Sequence, residues 1–125
     1  MVVGVGTDIL LIDRIRQASG SLSDAFIRKT FTQMEREQAT ERDEPTLYFA
    51  TRFAGKEAVF KSLGTDGSKG ALCQIEILSD EKGAPFVTLH DEMLEIAKEK
   101  SIVNVLISLS YDTDYAVAYA IAQSG

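Results

Sequence analysis

Cysteine is nearly missing from this sequence: Cys73 is the only one in 125 residues. A single thiol excludes an intramolecular disulfide framework and points to a reducing compartment. Cys73 itself falls in an apolar, strand-like run and reads as a small buried residue. No apolar run reaches the roughly 18 residues of a membrane-spanning helix. No basic segment precedes an apolar one at the N-terminus, so no secretory signal is visible. The expectation is a cytoplasmic protein that engages no membrane. Basic residues are scarce in the second half: residues 71–125 hold 3 Lys/Arg against 9 Asp/Glu, whereas residues 1–70 hold 10 of each. With a net charge of −6, general nucleic-acid binding is excluded. Walker A, kinase-loop and Cys/His zinc patterns are absent. The lone His90 has no evident nucleophilic partner for a Ser-His-Asp set.

What is present suits one domain over residues 1–125, with an ordinary hydrophobic fraction of 45%. Val2-Val3-Gly4-Val5-Gly6 reads as a buried strand, its glycines serving close packing rather than a phosphate loop. Asp8 then precedes Ile9, Leu10, Ile12 and Ile15, an apolar set of helical character for which Asp8 fits as N-cap. Ser19-Gly20-Ser21 is a break, and residues 22–29 read as a short helix. Thr32 with Glu35 forms a capping box for a helix over 33–41. Pro45 suits the first turn of a long central helix. A Gly-rich loop follows at 65–70. Strands are expected at 71–78, 85–89, 102–109 and 115–121, the last two as a hairpin, with an amphipathic helix at 90–100 that His90 opens. The fold class is α+β.

The central helix carries the chemistry. Leu47, Ala50, Ala54 and Ala58 make a narrow apolar stripe of small residues. Glu57 and Lys61 are four apart and share a face, preceded by Phe53, and Gly64 is placed to stop the helix. Arg52 and Lys56 form a second such pair. Spacing alone makes Glu57 and Lys61 an ordinary surface pair. Small residues around Glu57, and Asp8 at the end of an apolar strand, point further. Two carboxylates suit Mg²⁺ completed by water and phosphate oxygens. Lys61 reaches the same phosphate, and Arg52 and Lys56 add charge for others. The residues by themselves imply Mg-dependent phosphate chemistry and no more.

Two segments carry a family likeness. Gly4-Val5-Gly6-Thr7-Asp8-Ile9 and Phe53-Ala54-Gly55-Lys56-Glu57-Ala58-Val59-Phe60-Lys61-Ser62-Leu63-Gly64 resemble the paired signatures of the holo-[acyl-carrier-protein] synthases, small 4′-phosphopantetheinyl transferases. Phe31-Thr32 with Glu35, and Ile75-Glu76-Ile77, fit as well. The run from Ala58 to Gly64 is also similar to the transferase domain of large type I fatty acid synthases.

The resemblance implies the 4′-phosphopantetheinyl transferase fold, with an N-terminal strand, a long central helix and a mostly antiparallel sheet. It implies Mg-dependent transfer of the phosphopantetheine arm of coenzyme A to a serine of apo acyl carrier protein, in fatty acid synthesis. Adenosine 3′,5′-bisphosphate is then released. Asp8 and Glu57 would hold the metal. Lys61 would contact the phosphate under attack, and a metal-bound water or Glu57 would take the serine proton. Arg52, Gly64, Thr65, Ser110 and Tyr111 would meet the nucleotide end. Arg14, Arg16, Arg28 and Lys29 would dock the acidic carrier protein. The resemblance also implies a homotrimer with active sites between subunits. Ser108-Leu109-Ser110-Tyr111 departs from the family pattern, which has His at the last position; Tyr111 cannot be cationic at neutral pH. Two rival readings are a non-catalytic trimeric module that binds coenzyme A, and another Mg-dependent nucleotide phosphotransferase.

Overall fold

A computed structural model describes residues 1–18, 25–65 and 71–125. The break at Ser19-Gly20-Ser21, the start of the helix expected from residue 22, and residues 66–70 of the Gly-rich loop lie outside the described residues. The elements in chain order are β1 (Val2–Leu11), α1 (Ile12–Ala18), α2 (Ala25–Thr30), α3 (Gln33–Thr40), α4 (Pro45–Ser62), a 3₁₀ turn (Leu72–Gln74), β2 (Ile75–Ser79), β3 (Pro85–Leu89), α5 (Asp91–Glu99), β4 (Ile102–Tyr111) and β5 (Tyr115–Ser124). The fold is α+β and its strands pair antiparallel in two sheets, β1-β5-β4 and β2-β3.

Helix α4 crosses the three-stranded sheet at very short range, and the sequence shows how. A Cβ at Gly6 would stand 1.9 Å from the Ala58 carbonyl oxygen, and one at Gly4 2.2 Å from that of Ser62. Only glycine fits there, which confirms the packing role expected of both. The helix answers with Ala50, Ala54 and Ala58, and the central strand with Ala116, Ala118, Ala120 and Ala122, all fully buried. Pro45 occupies the first turn of α4. Gly64 ends the helix in the left-handed region at φ 68°. The rest of the core, around Phe31, Phe49, Ile27, Ile77 and Met93, fills the space between α4, the short helices and the small sheet.

Three sequence readings change. The first strand is not buried on both faces: Gly6 is enclosed, but Val2, Val3 and Val5 are exposed. Residues 9–11 are strand rather than helix: β1 runs on to Leu11, with Asp8 paired to Ala118 and Leu11 to Tyr115. Pairing with β5 supplies their backbone partners, so Asp8 lies inside a strand and is not an N-cap. Only Ile12 and Ile15 belong to α1. Cys73 sits in the 3₁₀ turn, half-buried, rather than in a strand.

Candidate active site

Asp8 stands on the α4 side of β1, because alternation along the strand turns Gly4, Gly6 and Asp8 one way and Val5, Thr7 and Ile9 the other. The close approach permitted by the two glycines brings the C-terminal half of α4 over Asp8. Lys61 Nζ donates to Asp8 Oδ1 at 3.1 Å and to the Thr7 carbonyl at 3.0 Å. Glu57, one turn earlier on the same face, is half-buried. Burial raises its pKa above the ordinary carboxylate value, the Asp8 charge raises it further, and Lys61 offsets part of the effect. The three groups predicted from sequence are therefore brought together, 49 and 53 positions apart in the chain for Asp8 with Glu57 and Lys61.

Two close carboxylates make an all-oxygen donor set that suits a hard divalent cation. Among the described residues, no group of three or more His, Cys, Asp or Glu gathers to hold a metal. A cation on Asp8 and Glu57 thus needs oxygens from water or a ligand, the habit of Mg²⁺ with phosphates.

A second cluster lies elsewhere on α4. Arg52 is buried; its Nη2 donates to Ser79 Oγ and its guanidinium stacks on Tyr48 at 4.1 Å. Arg42 lies against the same ring at 5.4 Å. These three, with Thr51, Leu109 and Tyr111, line a cleft of about 750 Å³. Arg52 Nε is buried with no hydrogen-bond partner among the described residues. Such an orphaned donor in a cationic cleft suits an anion. Sequence reasoning named Arg52 and Tyr111 but missed Arg42 and Tyr48. The signal for Tyr48 was its place four residues before Arg52 on the same helix, whereas Arg42 precedes the helix and no helical period links it to either.

The cleft lining contains none of Asp8, Glu57 or Lys61. Nine residues separate Arg52 from Lys61, or roughly 13 Å along the axis and half a revolution around it. One chain therefore presents its two clusters on opposite faces. Ser110 also parts from Tyr111, since strand alternation puts it on the far face of the sheet. Gly64 and Thr65 follow Lys61 directly, at the other end of α4 from the cleft.

Lys56 is not a phosphate ligand. Its side chain is fully buried and paired with Glu35 Oε1 at 2.8 Å. It also donates to the carbonyls of Leu72 and Ile75. Glu35 completes the set by accepting from the backbone of Thr32 and Ile77, while serving the predicted capping box. Arg52 and Lys56 are thus not paired with each other. Arg14, Arg16, Arg28 and Lys29 are all exposed on α1 and α2, with Arg16 bonded to Asp13. His90 opens α5 as expected and lies 3.2 Å from Glu76 Oε1.

The sheet face turned away from α4 is apolar and uncovered. Val5, Ile9 and Tyr119 on it are 63%, 66% and 58% exposed, and Val3, Leu11, Leu106 and Tyr115 extend the patch.

Comparison with known proteins places this geometry. A family model described as the 4′-phosphopantetheinyl transferase superfamily matches residues 4–120. A holo-[acyl-carrier-protein] synthase of Desulforudis audaxviator is 39% identical over 122 residues, covering 98% of this chain and 93% of that protein. The crystal structure of holo-[acyl-carrier-protein] synthase from Neisseria meningitidis superposes with a TM-score of 0.89 at 31% identity, over 99% of this chain and all of that one. The enzyme from Bacillus anthracis, solved in complex with CoA (3′,5′-ADP), gives 0.80 at 30% identity, over 100% and 99%.

Proposed function

The chain belongs to the 4′-phosphopantetheinyl transferase superfamily, as an enzyme of the holo-[acyl-carrier-protein] synthase type, and from that premise we propose the following reaction and assembly. The protein transfers the 4′-phosphopantetheine arm of coenzyme A to a serine hydroxyl of apo acyl carrier protein. The serine oxygen forms a bond to the phosphorus that carries the pantetheine arm. The bond from that phosphorus to the nucleotide-side oxygen breaks, and adenosine 3′,5′-bisphosphate leaves. The observation that carries this reading is the meeting of Asp8, Glu57 and Lys61 at one point of the fold.

Asp8 and Glu57 would hold Mg²⁺. Bound there, the ion supplies charge neutralisation at the diphosphate. Lys61 is half-exposed, and its ammonium turns to the phosphate under attack, stabilising negative charge and protonating the leaving oxygen. The serine proton leaves to Glu57 or to a water beside it. Arg14, Arg16, Arg28 and Lys29 receive the acidic carrier protein. The cytoplasm and fatty acid synthesis are the setting.

The nucleotide end of coenzyme A lies in the cleft of Arg42, Tyr48, Arg52 and Tyr111 of a second copy. Two observations support this. The two clusters face opposite ways on one chain, and the uncovered apolar sheet face calls for a neighbour. The assembly is a homotrimer with its active sites between subunits. Tyr111, neutral where a histidine is expected, leaves the nucleotide phosphate to the two arginines.

Incubation of the protein with coenzyme A, Mg²⁺ and a panel of apo carrier proteins, read by intact mass, tests the reading. A carrier should gain one phosphopantetheine only when Mg²⁺ is present. Nucleotide hydrolysis with no mass added to any carrier would favour the phosphotransferase rival instead.

A further inference from the structure

Helix α4 offers the proposed diphosphate its unfavourable end. Lys61 lies in the last turn, so the phosphates gather near the C-terminus, where the helix dipole is negative and carbonyl oxygens lack helical partners. Anion sites ordinarily use the opposite end. The fold corrects this with a residue from far along the chain. Lys100 closes α5, and its Nζ donates to the carbonyls of Leu63 at 2.7 Å and Gly64 at 3.0 Å. The ammonium lies so near the Gly64 backbone that a Cβ there would stand 3.0 Å from it. Residues 71–125 hold only three basic residues, and this one is fixed on the end of the catalytic helix.

We propose that Lys100 is a positioning residue for coenzyme A: by cancelling the negative end of α4 at Leu63 and Gly64, it lets the diphosphate approach Lys61. The proposal rests on the transferase reading and adds to it a residue that touches neither reacting atom. It acts through charge rather than through the fold. An arginine should therefore replace it, and an isosteric apolar side chain should not.

The test is Lys100→Met and Lys100→Arg beside the unaltered protein, with kcat, KM for coenzyme A and KM for carrier protein measured at low salt and at about 0.5 M salt. Calorimetric binding of coenzyme A with Mg²⁺ is run on the same samples. Lys100→Met should raise KM and Kd for coenzyme A about fivefold, the scale of a charge at a helix end. It should leave kcat and the carrier KM within about twofold, an effect below roughly 0.5 kcal/mol, and the difference should shrink at high salt. Lys100→Arg should restore coenzyme A binding. Unchanged KM and Kd would overturn the proposal. So would equal losses in kcat and carrier KM accompanied by a fall in Tm, the mark of a helix cap alone. If the unaltered protein binds coenzyme A but transfers nothing, the transferase reading fails, and the ratio of Kd values still decides the role of Lys100. Failure of the unaltered protein to bind coenzyme A would overturn both.

Discussion

Lys56 and Lys61 share one helix and one charge, yet Lys56 is wholly enclosed against Glu35 while the Lys61 side chain is 54% exposed beside Asp8. Five residues turn the helix by about 140°, enough to point one ammonium into the core and the other at the site. The buried lysine has its donors taken by a carboxylate and two backbone carbonyls, and it ties α4 to α3 and the start of β2. Such a pair brings little net stability, because desolvation offsets the attraction, but it cannot lose one member cheaply. The exposed lysine sits beside a carboxylate in a place open to ligand, where it is free to exchange partners. The same comparison holds for the carboxylates: Glu35 is fully hydrogen-bonded in the core, and Glu57 is held against the like charge of Asp8.

Breaking the inner pair should have the largest effect. Lys56→Met strands the Glu35 carboxylate in the core and should cost about 3–5 kcal/mol of stability, read by urea unfolding. Adding Glu35→Gln should recover part of that loss, since the two changes share one interaction. A cost below about 1 kcal/mol, the level of a surface pair, would remove the distinction between the lysines. Lys61→Ala comes next and should do the reverse. Carrier modification should slow by roughly 10²–10³-fold, as when one donor to a developing charge is lost. Unfolding should move by less than about 1 kcal/mol. Unimpaired turnover would mean that Lys61 is only a surface partner of Asp8.

Glu57→Gln gives the smallest shift and sharpens the comparison of the carboxylates. Folded Glu57 holds its proton more tightly than it does in the unfolded chain, whose value is near 4.5. Above that pH the native state binds the extra proton, so this group's contribution to stability falls as pH rises through its raised value. Without divalent metal, Glu57→Gln should remove that slope and raise Tm near neutral pH by about 1–2 °C, the effect being small because the group is half-exposed. A lower Tm would mean that the attraction of Lys61 for the Glu57 carboxylate outweighs burial and the Asp8 charge. Loss of transfer accompanying the higher Tm would mark a site that holds strain for function.

The capping box at Thr32 and Glu35, Pro45 in the first turn, the packing glycines and the stop at Gly64 were legible because each is a local pattern with a local cause. So was the Asp8, Glu57 and Lys61 set, through its two signatures. The inward turn of Lys56 was not. Its partner is 21 residues away on another helix, and lysine is rarely enclosed, so helical spacing to Arg52 gave a plausible but mistaken pairing. The strand character of residues 9–11 was hidden for a similar reason: β5, which pairs with them, lies at the far end of the sequence. Tyr48 stands four residues before Arg52 on α4, a spacing that links them, whereas Arg42 reaches the site through the Tyr48 ring and Ser79 Oγ, contacts with no sequence period.

In the proposed assembly, α4 presents the chemistry on one face and the nucleotide cleft on the other, so that a complete site needs two copies. Mixing two impaired variants tests it directly. Lys61→Ala removes the phosphate contact, and Arg42→Glu reverses an exposed charge in the cleft; each alone should be slow at low coenzyme A. Refolded together, random assortment in a trimer should restore roughly a quarter of the sites, each joining an intact Lys61 from one subunit to an intact Arg42 from another. Recovery of carrier modification to about that level supports the account, and a mixture no faster than its two components would contradict it.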